Sequence, residues 1–272
     1  LSLDIAIALA VKSYEVTVIS PKPTRPLGFK FDTQNNREYS FKHIVIDSYT
    51  CPESKLFGRM KESYSLGKAF AKYIKKNHHS IDIIYQNTWP LFSQLFVINE
   101  AKKYNIPVIT HVQDIYPESL TNKLPLVISD IIYKLLLPLD RKILSNSNKV
   151  ICISENMKKQ LSFSRNLKEN KFTIVTNWQN EEDFINYKNN SQLKNDENNE
   201  FIFMYLGNNG PVAGVEFLIE SFFKANIFNS KLIIAGSGSK TNDCKKLAEK
   251  LRLKNVDFLA VPEGKVPEIQ DL

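Results

Sequence analysis

Residues 81–85, Ile81-Asp82-Ile83-Ile84-Tyr85, and residues 150–153, Val150-Ile151-Cys152-Ile153, decide how this chain is read. Both are nearly continuous apolar runs of strand length. A sheet with one wet face would alternate apolar and polar residues; continuous runs mean burial on both faces, which parallel sheets reach through helical crossovers. Outward from these runs, β-branched stretches alternate with longer helical patterns. Helix 1–12 leads to strands 15–20 and 41–46, and a helix from about 61 to 77 precedes strand 81–86. Helix 90–104, strand 107–112, an apolar crossover 124–144, strand 149–154, helix 155–161 and strand 172–176 follow. Residues 186–200 are almost wholly Asn, Lys, Asp, Glu and Ser, too polar to order themselves around a core. The rhythm then restarts with strand 201–206, a glycine turn, helix 215–225, strand 231–235, a second glycine turn, helix 241–253 and strand 256–260. The expected fold class is α/β, with two doubly wound Rossmann-like domains. Residues 1–185 form the first, 186–200 a polar linker, and 201–272 the first part of the second. Ligands of such folds sit at the carboxyl ends of the strands, here in the cleft between the domains.

The formal charge of +7 suits a polyanionic partner, such as a phosphorylated ligand or an anionic membrane surface. The lysines are scattered over helical stretches such as 68–76 and 240–254 and are not gathered with aromatics, so they read as solvated helix faces. Zinc-finger spacing and RNA-recognition signatures are lacking, and no nucleic-acid partner is expected. Cys51, Cys152 and Cys244 are odd in number and far apart, which argues against a disulfide framework and for a reducing cytoplasm. Cys152, inside an apolar run, reads as a small core residue. No pair of these cysteines has metal-ligand spacing, and no metal is expected. The chain opens at Leu1, already mid-helix in pattern, and closes at Val266-Pro267-Glu268-Ile269-Gln270-Asp271-Leu272, which reads as the opening of a helix. Both ends are expected to be trimmed.

Four segments carry chemistry. The turn Gly207-Asn208-Asn209-Gly210-Pro211-Val212-Ala213-Gly214 follows a strand and opens a helix, where backbone N–H groups attract phosphate. Gly236-Ser237-Gly238 holds the equivalent place after the next strand. Neither spells a dinucleotide fingerprint or a P-loop, and each reads equally as turn chemistry or as a phosphate cradle. The stretch Thr110-His111-Val112-Gln113-Asp114-Ile115-Tyr116-Pro117-Glu118 crowds an imidazole, an amide and two carboxylates just past a buried strand. Asp114 and Glu118 suit sugar hydroxyls or acid–base work, against the alternative that they cap a turn and a helix. Gly58-Arg59-Met60-Lys61 precedes a helix and offers Arg59 to an anionic acceptor or to a surface ion pair. His43, His78 and His79 have no partners at ligand spacing. Residues 124–139 are strongly apolar, but Asp130, Lys134, Asp140 and Arg141 interrupt the apolar stretch and Pro138 breaks it; a transmembrane span is excluded. A core helix is expected there, with an apolar face resting on a bilayer as the other possibility.

Several of these segments resemble a known family. Tyr14-Glu15-Val16-Thr17-Val18-Ile19-Ser20 resembles the second strand of GT-B fold glycosyltransferases. Val112-Gln113-Asp114-Ile115-Tyr116-Pro117-Glu118-Ser119 is similar to a segment of bacterial family 4 enzymes that build capsule, O-antigen and colanic-acid-type polysaccharides. Val150-Ile151-Cys152-Ile153-Ser154-Glu155, the stretch Thr176-Asn177-Trp178-Gln179-Asn180-Glu181-Glu182-Asp183-Phe184, Tyr205-Leu206-Gly207-Asn208-Asn209-Gly210-Pro211 and Ile234-Ala235-Gly236-Ser237-Gly238 resemble later signposts of that family in the same order.

The resemblance implies retaining transfer of a sugar from a nucleotide donor, UDP by expectation, to a saccharide or lipid-linked acceptor. The donor is held by the second domain, the acceptor by the first. No metal or cofactor is implied; the nucleotide sugar is a substrate. The enzyme is expected in the cytoplasm, at the inner face of the plasma membrane. Donor contacts fall on Gly207, Asn208, Asn209, Gly210, Gly236, Ser237 and Gly238. Acceptor contacts fall on Arg59, His111 and Glu118, and the catalytic candidates are Asp114 and Gln113, which holds the place of the family's histidine. The Arg and Lys that the family uses on the diphosphate are replaced by Asn208 and Ala213. The N–H groups of Asn209 and Gly210, or a Lys outside the segment, would have to substitute. The family's carboxylate pair and glycine-rich acceptor loop would lie beyond Leu272 and before Leu1, so the 272-residue chain is expected to be inactive or nearly so. The competing readings are a sugar-nucleotide epimerase and a non-catalytic partner subunit that kept the fold and lost the phosphate residues. A dinucleotide oxidoreductase is disfavoured by the glycine spacing.

Overall fold

The structure, a computed structural model, describes the chain apart from residues 1, 24–39, 53–55, 89–90, 123, 179–180, 191–199, 263 and 272. It divides into two compact units, Leu1–Trp178 and Gln179–Leu272.

In the first unit, α1 (Ser2–Val11) leads to β1 (Thr17–Pro21) and β2 (Lys42–Ile46), a parallel two-stranded sheet. After α2 (Leu56–Asn77), β3 (Ile84–Asn87), α3 (Leu91–Lys103), β4 (Val108–Val112), α4 (Glu118–Thr121), α5 (Leu126–Asn146), β5 (Lys149–Cys152), α6 (Glu155–Arg165) and β6 (Phe172–Ile174) follow. Strands β3 to β6 form one parallel sheet in chain order. The apolar runs are therefore strands, although β3 starts later than expected and leaves Ile83 exposed. β4 is paired on both edges, and four of its five residues are buried. Val108 packs with Leu91, Val97, Ile98, Leu136 and Ile143 from α3 and α5. Val112 packs with Leu144, Val150, Cys152, Leu161 and Phe172 in a second cluster. Burial pushes the Cys152 thiol up to about 11, as suits a core residue.

Local chemistry sets the helix ends. Lys75 and Lys76 in the last turn of α2 face its negative end. The Ser154 hydroxyl accepts from the Met157 N–H to cap α6, which stops at Asn166 in the left-handed region, φ 53°. Asn148 clamps β4 to the α5–β5 turn, accepting the Val108 N–H at its side chain (2.9 Å) and donating its own N–H to the Val108 carbonyl (2.7 Å).

Two expectations are corrected here. α2 begins at Leu56, so Arg59 lies within the helix and not ahead of it, paired at 2.9 Å with Glu62 one turn on. α5 runs unbroken through Pro138. The ring removes one backbone hydrogen bond. The flanking turns are held by buried Leu136, Asp140, Ile143 and Leu144, and Pro138 itself faces solvent.

The second unit opens with α7 (Glu182–Asn190), which extends into the stretch read as linker from 186. Then come β7 (Phe201–Leu206), α8 (Val215–Ala225), β8 (Ser230–Ala235), α9 (Thr241–Lys250), β9 (Val256–Leu259) and α10 (Val266–Gln270). β7, β8 and β9 form a parallel sheet in that order, and Val215, Ile219, Phe222, Leu232, Ile234, Cys244 and Ala248 make its core with α8 and α9. α7 packs on α10, with the Tyr187 hydroxyl donating to Asp271 at 2.7 Å. Both units are Rossmann-like.

Helix α5 offers a direct test, since Ile143 is fully buried and Leu126 is 89% exposed. Ile143→Ala should cost about 2–5 kcal/mol in urea unfolding, whereas Leu126→Ala should stay within about 0.5 kcal/mol.

Candidate functional site

The carboxyl end of β4 passes into residues 113–118, and most of that segment is committed to holding itself in place. The Thr88 hydroxyl donates to the His111 carbonyl at 2.9 Å and accepts the Gln113 N–H at 3.0 Å, locking the end of β3 to the end of β4. His111 is 1% exposed because it sits on a strand covered on both faces. Its Nδ1 is hydrogen-bonded to the Tyr85 hydroxyl, and its Nε2 has no partner among the described residues. Burial lowers the His111 pKa and pushes Tyr85 up to about 12, so both are neutral near pH 7. The structure thus places His111 inside the sheet, not on a surface open to an acceptor.

Glu118 is spoken for as well. Arg165, the last residue of α6, is completely buried. Its Nε donates to Asp140 of α5 at 2.7 Å, and its Nη2 donates to Glu118 and to the Tyr116 carbonyl, each at 2.7 Å. Nη1 donates to Glu118 and, at 2.8 Å, to the Ser164 hydroxyl. Burial works to raise the Glu118 pKa, but hydrogen bonds from Arg165 outweigh it and hold the carboxyl below its ordinary value. Burial pushes Asp140 up to about 6 against the pull of Arg165. Glu118 is therefore fixed as a structural carboxylate. Sequence reasoning missed Arg165, Asp140 and Thr88; Asp140 stood out only as a charge inside an apolar run.

What this leaves open is short. Gln113 is half-buried with its backbone fixed, and Asp114 is exposed with no polar partner among the described residues. These two adjacent groups are the ones the segment presents outward. Arg59 belongs to α2 and is engaged with Glu62, itself nearly buried.

In the second unit the structure brings the two glycine turns together. The Asn209 N–H donates to the Ser237 carbonyl at 3.1 Å, and the Lys240 N–H donates to the Asn209 carbonyl at 2.9 Å. Thr241 Oγ1 accepts the Gly238 N–H at 2.9 Å and the Asn209 amide at 3.2 Å. A Cβ on Gly236, whose φ is 126°, would collide with the Gly207 carbonyl oxygen, and one on Gly238 would collide with Asn209. The glycines are needed for this close approach. The expectation that Asn209 and Gly210 lend their N–H groups to a phosphate is corrected. Both are used within the protein, the Gly210 N–H donating to the Asn208 carbonyl at 2.8 Å. The N-terminus of α8 is open instead, its N-cap Gly214 in the left-handed region (φ 68°) with no side chain to cap it.

Among the described residues there is no cluster suited to a metal ion, and no helix is long and apolar enough to cross a membrane.

Comparison with known proteins adds the following. A sequence model described as Glycosyltransferase Family 4 matches residues 2–182. No curated protein matches the sequence. A glycosyltransferase from Rickettsia africae ESF-5 superposes with a TM-score of 0.59 at 16% identity, over 98% of this chain and 65% of its own length. WaaG, described as a glycosyltransferase involved in lipopolysaccharide biosynthesis, gives 0.58 at 16% identity, over 99% and 67%. Anabaena Alr3699/HepE in complex with UDP gives 0.56 at 11% identity, over 85% and 58%. The chain thus spans about two thirds of the Rickettsia protein and less of the Anabaena one. At these identities the likeness speaks to fold alone.

Three substitutions separate the roles found here. Arg165→Leu strands the buried Asp140 and the half-buried Glu118 and should lower urea stability by about 3–5 kcal/mol. Gly236→Ala should cost about 2–4 kcal/mol, against about 1–2 kcal/mol for Gly214→Ala, where a Cβ meets nothing within 4 Å.

Proposed function

The chain belongs to Glycosyltransferase Family 4, and from that premise we propose that it transfers a sugar, hexosyl or acetamidohexosyl, from a UDP donor to a saccharide or lipid-linked acceptor, with retention, in surface polysaccharide synthesis. The observation that carries the reading is the pair of interlocked glycine turns at the carboxyl ends of β7 and β8, beside the uncapped start of α8. Parallel α/β sheets place ligands there, and oriented N–H groups at a helix start attract phosphate.

In this reading the second unit holds the donor and the first holds the acceptor. The departing diphosphate develops charge in the transition state, and preorganised dipoles and a cation lower that barrier without metal or cofactor. Asp114 accepts a hydroxyl of the acceptor, and Gln113, which cannot relay a proton, orients the sugar by hydrogen bonding. Arg165 acts only as a positioning residue, through Glu118 and the Tyr116 carbonyl. The Anabaena protein was solved in complex with UDP-glucose and with UDP and glucose, which makes UDP the first nucleotide to test.

The acceptor side is read as peripheral to the inner face of the plasma membrane. The first half of α5 exposes Leu126 (89%), Val127 (76%), Ile131 (62%) and Leu135 (70%). An open pocket of about 270 Å³, lined by Leu137, Pro138, Arg141, Lys142 and Ser145, continues the same helix. Apolar side chains beside basic ones suit an anionic bilayer. This reading replaces the expected core helix for the first half only, because the second half buries Leu136, Asp140, Ile143 and Leu144.

Saturation-transfer NMR on the full chain with UDP and UDP-glucose tests the donor reading. Transfer to ribose and base protons is expected, and its absence for both would overturn the assignment. In vesicle sedimentation, Val127→Glu with Ile131→Glu should lower binding to anionic vesicles by about tenfold. Equal binding by variant and parent would remove the α5 contact.

A further inference from the structure

The donor reading leaves a charge missing. Asn208 and Ala213 hold the places where a basic pair is implied, and the Asn209 and Gly210 N–H groups are already used. Among the described lysines of the second unit, Lys231 lies at the amino end of β8, paired with Asp257, which is the wrong end of the sheet for a ligand. Lys265 precedes a helix of only five residues. Lys240 is placed differently. Its backbone is fixed to the first glycine turn by the bond to the Asn209 carbonyl, and it is the N-cap residue of α9. Its ammonium reaches across to 4.0 Å from Glu216 in the first turn of α8, and lies 2.8 Å from Asp243.

The starts of α8 and α9 both lack a side-chain cap, and helix starts carry positive partial charge. A third positive group set against them is disfavoured unless anions join it. The two carboxylates that do so are both at least partly exposed, and such pairs are weak in water. A second sign of a ligand lies in the same turn. Asn209 is fully buried, yet its Oδ1 has no partner among the described residues, an acceptor suited to a ligand hydroxyl.

We propose that Lys240, held over the starts of α8 and α9, binds the diphosphate of the nucleotide-sugar donor in place of the basic residues absent at Asn208 and Ala213. The proposal rests on the donor reading above. When a diphosphate arrives, Lys240 exchanges Asp243 and Glu216 for phosphate oxygens, and the open N–H groups of α8 complete the site.

Calorimetric titration of the full chain with UDP and with uridine tests it. Lys240→Met should weaken UDP about tenfold and leave uridine unchanged, because the lost contact is to phosphate alone. Lys240→Arg should retain UDP within about threefold. Asp243→Asn removes the competing carboxylate and should tighten UDP by about two- to threefold, which a purely structural role for the ion pair would not produce. Far-UV circular dichroism and thermal melting of each variant establish that the fold is retained. If Lys240→Met binds UDP as the parent does, Lys240 is excluded while the donor reading stands. If it loses UDP and uridine alike, Lys240 acts by holding the turn and the proposal fails. If the parent binds no UDP, the donor reading falls and takes the proposal with it.

Discussion

The first unit is organised around one guanidinium. Arg165 is sealed from solvent, and each of its five N–H groups finds an acceptor on Asp140, Glu118, Ser164 or the Tyr116 carbonyl. Burying Arg165 and Asp140, with Glu118 half-buried beside them, carries a large desolvation cost, and it is tolerable only when every donor is matched. The partners come from α5, from α6 itself and from the loop after β4, so one side chain fixes how those three elements meet. Anything that shifted the loop would pull Glu118 and the Tyr116 carbonyl away from Arg165. The loop is therefore rigid at Tyr116 and Glu118, and its outward polar groups are confined to Gln113 and Asp114. A rigid scaffold presenting two polar side chains is what selective sugar recognition requires, because orientation is settled before the ligand arrives.

The order of elements was readable because burial on both faces writes itself into strands as continuous apolar runs, and β7 and α8 fall at the expected residues. Strand ends were less legible. Ile83 is apolar yet exposed, since β3 begins only where pairing with β4 starts at Ile84. Pro138 misled because a proline's cost is local, whereas the helix around it is held by packing that no single residue announces. The Arg165 network was illegible for a different reason. The Asp140, Glu118 and Tyr116 partners lie 25 to 49 positions from Arg165, and no short pattern marks such a cluster. Asp114 and Glu118 looked alike in sequence; only the distance from Glu118 to Arg165 separates a structural carboxylate from an available one.

The glycine turns show how one sequence signal serves two physical purposes. Glycine permits a ligand to approach the backbone, and equally permits another stretch of backbone to do so. Here Gly236 and Gly238 are crowded by residues 207–209, so the protein's own chain occupies the space opened by the missing side chains. N–H groups used in that contact cannot also bind phosphate. Positive charge must then come from elsewhere, and the helix starts beside the turns supply part of it as oriented dipoles.

Helix α5 serves two surroundings within the first unit. Its second half contributes Asp140 to the Arg165 cluster, and its first half carries the exposed apolar side chains. A helix that continues through Pro138 transmits position along its length, at a rise of about 1.5 Å per residue. If the first half rests on a bilayer, the loop that presents Gln113 and Asp114 is held at a fixed height above the membrane through Asp140, Arg165 and Glu118. An acceptor carried on a lipid would then meet those side chains at a distance set by the protein and not by diffusion. The same geometry explains why a charged cluster is kept at a position where apolar packing would cost less. Hydrophobic contact tolerates sliding, whereas a five-fold hydrogen-bonded guanidinium specifies one arrangement.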